Sequence, residues 1–318
     1  MAFIGNDIEY ASALLKAGEV IGIPTETVYG LAGNAYDVRA VTKIFKIKQR
    51  PAFDPLIVHT DSLGKVQKFV ESMPESAFQL AKYFWPGPLT LLLPKKKVIP
   101  DLVTSGLPNV AVRVPNHAIT LALLERVDFP LAAPSANPFG YVSPTSALHV
   151  NDQLGDKIPY ILNGGVSKVG IESTIIGFEN SLPVVYRLGG LALKKIESII
   201  GKVEIKPHST SDPTTPGSLK SHYSPDKKVI IGNMEELIEA YKSHSFALLS
   251  FRKKYEHIPA ENQLILSKTG DLDEAAQNLF SSLRLLDRLP VDYILTEYVP
   301  NRDLGLAIND RLKRAAAK

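Results

Sequence analysis

The sequence predicts an α/β fold with two units. Helical periodicities and short apolar, β-branched runs alternate along the chain, which is the pattern of helices packed on sheets. That alternation stops once, in a polar and proline-rich stretch, and then resumes. The chain has 318 residues, 45% of them hydrophobic, which is enough apolar side chain for one large core or two smaller ones.

The elements follow in order. Ile8 to Lys16 has the spacing of an amphipathic helix, with Asn6 or Asp7 as its cap. Val20 to Ile23 is a short apolar strand stopped by Pro24, and Val38 to Ile47 is helical, with Pro51 closing the segment after it. Leu56 to Val58 is a buried strand, and Ala77 to Trp85 a helix ended by Pro86-Gly87-Pro88. Thr90 to Leu93 and Val110 to Val114 are strands, His117 to Val127 a helix, and Leu131 to Ala133 a short strand. Further strands are expected at Tyr160 to Leu162, Ser173 to Gly177 and Val184 to Arg187. Lys206 to Pro225 cannot bury a core and is expected to be a linker. Beyond it, strands at Val229 to Ile231, Phe246 to Leu249, Leu264 to Leu266 and Tyr293 to Leu295 alternate with helices at Glu235 to Tyr241, Leu272 to Leu286 and Ile308 to Ala315. This is the pattern of a small Rossmann-like parallel sheet. The expected division is 1–206, a linker over 207–227, and 228–318.

Composition excludes several chemistries. There is no cysteine, hence no disulfide, thiolate metal site or thiol nucleophile. No apolar run approaches the roughly 18 residues that span a bilayer, and the first residues lack a signal-peptide pattern. A cytoplasmic protein is the expectation. Net charge is +3: 21 Lys+Arg against 18 Asp+Glu through position 207, and 15 of each after it. That excess is too small for nucleic-acid binding by bulk charge, but it allows a local basic pocket for a small anion.

Several segments are candidates for chemistry. Pro24-Thr25-Glu26-Thr27-Val28-Tyr29-Gly30-Leu31 puts hydroxyls, a carboxylate and a glycine at the carboxyl end of a strand, where open α/β sheets bind ligands. The structural alternative is a helix start capped by Thr25 or Thr27. Lys48 and Arg50 would point the same way in an extended segment and could grip one polyphosphate; otherwise they are solvated cations at a helix end. His59 ends an apolar strand, where a histidine is either structural or a ligand. Arg113 lies inside Val110-Ala111-Val112-Arg113-Val114 and needs an anion, either a protein carboxylate or a substrate carboxylate. Ser135 and Asn137, in Pro134-Ser135-Ala136-Asn137-Pro138, could donate to phosphate or merely form a turn. Gly164-Gly165, Gly170-Ile171-Glu172-Ser173-Thr174 and Arg187 repeat the glycine, hydroxyl and cation theme. The standard phosphate loop, the dinucleotide glycine motif and the H-E-x-x-H zinc motif are all absent.

Taken in order, these segments resemble the YrdC-type L-threonylcarbamoyladenylate synthases in their long two-domain form. The match includes Pro55-Leu56-Ile57-Val58-His59, Trp85-Pro86-Gly87-Pro88-Leu89-Thr90, Arg187-Leu188-Gly189, Pro216-Gly217, His222-Tyr223-Ser224-Pro225 and Gly305 to Leu312. The resemblance implies a twisted mixed sheet with helices around a concave pocket, followed by the smaller Rossmann-like domain. It also implies the reaction of L-threonine, bicarbonate and ATP, carried with Mg2+, to threonylcarbamoyl-AMP and pyrophosphate. A downstream transferase complex would pass the threonylcarbamoyl group to tRNA, and this chain would make at most weak contact with the tRNA. By family position, Thr25, His59, Arg113, Ala133 and Ser173 surround threonine, whose carboxylate would give Arg113 its anion. Lys48, Arg50, Asn109, Ser135, Asn137, Ser143, Arg187 and Tyr223 surround ATP. Lys48 and Arg50 are the expected catalytic pair, offsetting charge as pyrophosphate leaves, and Tyr223 with the linker would form a lid. Asp54 and Asn109 depart from the family pattern. Asp54 would weaken triphosphate binding or face a magnesium ion. Two other functions fit the residues less well: an RNA-binding module, which wants more positive charge, and a carbamoyl transferase acting on carbamoyl phosphate, whose relatives carry zinc-binding cysteines.

Overall fold

The computed structural model describes residues 1–206 and 223–317; Pro216-Gly217 and His222 of the expected linker lie outside them. In chain order the elements are β1 (Phe3–Gly5), α1 (Ile8–Lys16), β2 (Ile21–Ile23), β3 (Gly30–Asn34), α2 (Val38–Lys48), β4 (Ile57–His59), α3 (Leu63–Val66), α4 (Glu75–Phe84), β5 (Leu89–Pro94), α5 (Asp101–Thr104), β6 (Asn109–Arg113), α6 (Ala118–Arg126), β7 (Leu131–Ala132), α7 (Ala147–Leu154), β8 (Tyr160–Leu162), β9 (Thr174–Glu179), β10 (Leu182–Arg187), α8 (Leu193–Ile200) and β11 (Glu204–Ile205). Then come β12 (Lys228–Ile231), α9 (Met234–Ala240), β13 (Phe246–Ser250), β14 (Gln263–Ile265), α10 (Leu272–Asp287), β15 (Tyr293–Thr296) and α11 (Gly305–Ala315).

The first eleven strands form one sheet in the order β1-β8-β2-β3-β7-β4-β6-β5-β9-β10-β11. It is mixed: β4 and β6 run parallel, whereas β7 is antiparallel to β3 and β4. The last four strands form a second sheet, β12-β15-β13-β14, whose pairings are all parallel, as its strand–helix alternation requires.

Local chemistry explains the helix boundaries. Asp7 caps α1 by accepting from the Tyr10 amide, and Asp37 caps α2 through the Arg39 amide. Gln49 ends α2 in the left-handed region (φ 53°), so Lys48 and Arg50 share no extended segment, and both are buried rather than solvated. The segment after β2 forms no helix either. Thr25 closes a turn with its hydroxyl, which accepts from the Thr27 and Val28 amides, and the chain then enters β3.

The large sheet buries apolar side chains on both faces, around Leu31, Val58 and Val112 on one and Ile21, Ile23 and Leu162 on the other. A third cluster joins the two sheets. Val28, Val142, Ile171 and Tyr223 pack with Leu279, Phe280 and Leu283 of α10 and Ile308 and Leu312 of α11. Polar contacts fasten the same seam: Arg284 donates to the Ser143 carbonyl (3.2 Å) and to Gln153 (2.8 Å). At Gly170 (φ 79°) the chain passes so close to α10 that an added Cβ would lie 2.4 Å from the Gln277 Cα.

Candidate active site

β2, β4 and β6 all end at one concavity, with an empty volume of about 550 Å3, mouth included. Its walls come from the turn after β2, the ends of β4 and β6, the 133–135 segment after β7, Glu172 and Ser173 before β9, Arg187 at the end of β10, and Tyr223.

Thr25, His59, Arg113, Ala133 and Ser173 all line this cavity. His59 and Arg113 are register partners on the parallel strands β4 and β6, so their side chains share a face. Arg113 is held at three points. Its Nε donates to the Gly87 carbonyl (3.2 Å), Nη1 donates to Thr27 Oγ1 (2.8 Å), and Nη2 lies 2.7 Å from Glu26 Oε1. The anion that the sequence required is therefore, in this structure, a protein carboxylate. Glu26 is outside the cavity lining, so it holds the guanidinium from behind. Ser173 Oγ is 2.7 Å from Thr90 Oγ1, and its carbonyl accepts from Arg187.

Of the residues expected around a nucleotide, Arg50, Ser135, Arg187 and Tyr223 line the cavity. Three others stand behind that wall. The buried Lys48 ammonium donates to the Ser135 carbonyl (2.6 Å) and to that of Asn137, so it pins the 135–137 loop from below. Asn137 donates to the Pro138 and Tyr141 carbonyls (both 2.8 Å), and Ser143 donates to Glu172. Asn109 opens β6 opposite Pro94, four residues before Arg113, about 13 Å away along a strand. It is not part of the cavity.

Among the described residues three arginines and one glutamate line the cavity, a local positive excess in a nearly neutral chain. Burial, then the charge of Arg113, push the His59 imidazole down to about 3, so it is neutral at ordinary pH. Burial and, after it, Arg50 hold the Lys48 amine well below its ordinary value. Arg50 is locked to Asp54: Nη2 is 2.9 Å from the carboxylate, Nε donates to the Asp54 carbonyl (2.9 Å), and both side chains are buried. Sequence reasoning offered Glu26 and Thr27 only as parts of a helix start and gave no individual role to Thr90 or Glu172. The signal for Glu26 and Thr27 was the unmatched charge of Arg113 in an apolar strand, which demands polar partners; Thr90 and Glu172 meet Ser173 and Arg311 and had no such signal.

The donor set does not fit a protein-built metal cage. Among the described residues no three His, Asp or Glu side chains converge. Asp54 and Glu172 are each engaged by an arginine.

The Sua5/YciO/YrdC family model, described as "Telomere recombination", matches residues 13–189. The chain belongs to this family. A second model, described as "Threonylcarbamoyl-AMP synthase, C-terminal domain", matches residues 191–317. The threonylcarbamoyl-AMP synthase of Pyrococcus abyssi is 42% identical over 97% of this chain and 94% of its own length. That of Bacillus subtilis is 38% identical over 97% and 92%. The solved structure of P. abyssi Sua5 complexed with L-threonine superposes with a TM-score of 0.93 at 40% identity, covering 99% of this chain and 97% of the other. Family membership therefore covers both sheets, the fold matches the two-domain form, and no described helix is long and apolar enough to cross a membrane.

Proposed function

We propose that this chain is an ATP-dependent transferase that converts L-threonine, bicarbonate and ATP to threonylcarbamoyl-AMP and pyrophosphate, for threonylcarbamoyl modification of tRNA. The observation that carries the reading is that Thr25, His59, Arg113 and Ser173 share one cavity with Arg50, Ser135 and Arg187. Arg113 offers a fixed guanidinium beside hydroxyls and a neutral imidazole, which suits an amino acid carboxylate. Arg50 and Arg187 offer two more guanidiniums, which suit phosphates.

The product fixes the bonds that change. The threonine amine adds to the carbon of bicarbonate, water leaves, and a carbamate forms. A carbamate oxygen then attacks the α-phosphorus of ATP, and the bond to pyrophosphate breaks. No step needs a protein nucleophile. The chain orients the reactants and neutralises charge on the departing pyrophosphate. In this division of labour Arg113 binds the threonine carboxylate with Glu26 fixing its direction, and Arg50 and Arg187 meet the phosphates. Lys48, buried under the 135–137 loop, acts by holding that loop in place. Residues 1–206 form the catalytic unit, 228–318 the second unit, and Tyr223 covers the nucleotide. Magnesium arrives with ATP, its ligands being phosphate oxygens and water. The product passes to a tRNA-modifying transferase.

The test is incubation of the protein with ATP, magnesium, bicarbonate and L-threonine, followed by chromatography and mass analysis. Pyrophosphate and threonylcarbamoyl-AMP should appear together and vanish when threonine or bicarbonate is omitted. Folded protein that binds ATP but forms no adduct would defeat the proposal. Arg113→Ala should raise the threonine KM at least tenfold with little change for ATP, and Arg50→Ala should do the reverse.

A further inference from the structure

Glu172 presents a problem for any phosphate ligand. Its carboxylate lines the same cavity as Arg50 and Arg187, and it is buried. An unscreened carboxylate there would repel a triphosphate strongly, because water is too scarce to screen it.

The counter-charge comes from the other sheet's last helix. Arg311 of α11 has no solvent exposure, and its Nε donates to Glu172 Oε2 at 3.1 Å. Its Nη1 donates to the Leu188 carbonyl (2.7 Å), directly after Arg187, and is also 2.9 Å from Asp310. The guanidinium carbon lies 5.2 Å from the Tyr223 ring centroid. The second Glu172 oxygen accepts from Ser143. One side chain thus holds a carboxylate of the cavity wall, the turn that carries Arg187, and the ring that covers the site.

We propose that Arg311 is a positioning residue for the nucleotide half of the site: it neutralises Glu172 and fixes the Arg187–Leu188 turn, so that the second sheet contributes to ATP binding rather than only covering it. The inference rests on the functional reading above. In its terms, Arg311 bonds to Glu172, the Leu188 carbonyl and Asp310 and to none of Thr25, His59, Arg113 and Ser173, so threonine binding should feel the change less than ATP binding.

The experiment is ATP and L-threonine binding by calorimetry on the full chain, which does not depend on product formation. Arg311→Gln should weaken ATP at least tenfold and threonine less than threefold. Adding Glu172→Gln to that variant should recover most of the ATP affinity, since the uncompensated charge is then gone. Arg311→Lys, which keeps the charge with a smaller perturbation, should hold ATP within threefold and serves if Arg311→Gln does not fold. Equal losses for both ligands, failure of Glu172→Gln to restore ATP binding, or a tenfold ATP loss in Arg311→Lys would each overturn the inference. A wild-type chain that binds no ATP would instead defeat the functional reading on which it stands.

Discussion

His59 links burial to acid sensitivity. Its folded-state pKa of about 3 lies below the ordinary value of 6.5, so the unfolded chain binds the extra proton between those values. Stability is whole above about pH 6.5 and falls as pH drops toward 3, by up to about 1.4 kcal/mol per pH unit from this group. Urea unfolding at pH 7 and pH 5 should show a smaller acid loss in His59→Asn than in the wild type; equal losses would mean that the imidazole is not the group responsible. Asp54 gives a second residue-scale expectation. Removing it by Asp54→Ala leaves Arg50 buried without its carboxylate and should cost about 3 kcal/mol in denaturant unfolding. An unchanged unfolding midpoint with a raised magnesium requirement would place Asp54 on the metal instead. Residue identity was legible in the sequence where a charge sat in an apolar strand, as Arg113 and Arg187 do. Its partner was not, because Glu26 reaches Arg113 and Ser173 meets Arg187 from other segments, and Glu172 meets Arg311 across 139 positions.

At the scale of elements, sequence periodicity located the long helices and the buried strands well. α1, α10 and β8 lie close to where their apolar spacing put them. It missed β1, β3 and β11 and the helices α3, α5, α7 and α8. β3 reads Gly-Leu-Ala-Gly-Asn and has no strand-like composition; it is a strand because Ile21 to Ile23 pair with it and its backbone must be satisfied. Lys48 and Arg50 are neither on one extended segment nor solvated, for a local reason, the left-handed turn at Gln49, which no periodicity encodes. Gly170 is the element-scale test. A side chain there faces both an unfavourable φ and the α10 backbone, so Gly170→Ala should lower stability by about 2 kcal/mol or more in urea unfolding. An unchanged midpoint would show that the loop and α10 can separate freely.

For the whole molecule, two α/β units were legible, but their shared core was not. Val28, Val142 and Ile171 look like ordinary apolar residues of the first unit, and only the folded chain reveals that α10 and α11 cover them. A chain ended after Lys206 should therefore bind a hydrophobic dye, melt less sharply than the full chain, and lose at least tenfold in ATP affinity. A sharp melt with full ATP affinity would mean that the first unit completes its own site. The same seam has a consequence for how the protein is made. Just over a hundred residues follow Lys206, and at roughly 5–20 residues per second on the ribosome the finished first sheet waits roughly 6–20 s for the helices that cover its apolar rim. During that interval the nascent chain exposes Val28, Val142 and Ile171 together, so its yield in the cell should depend on chaperone capacity and translation speed more than that of a chain whose domains close separately.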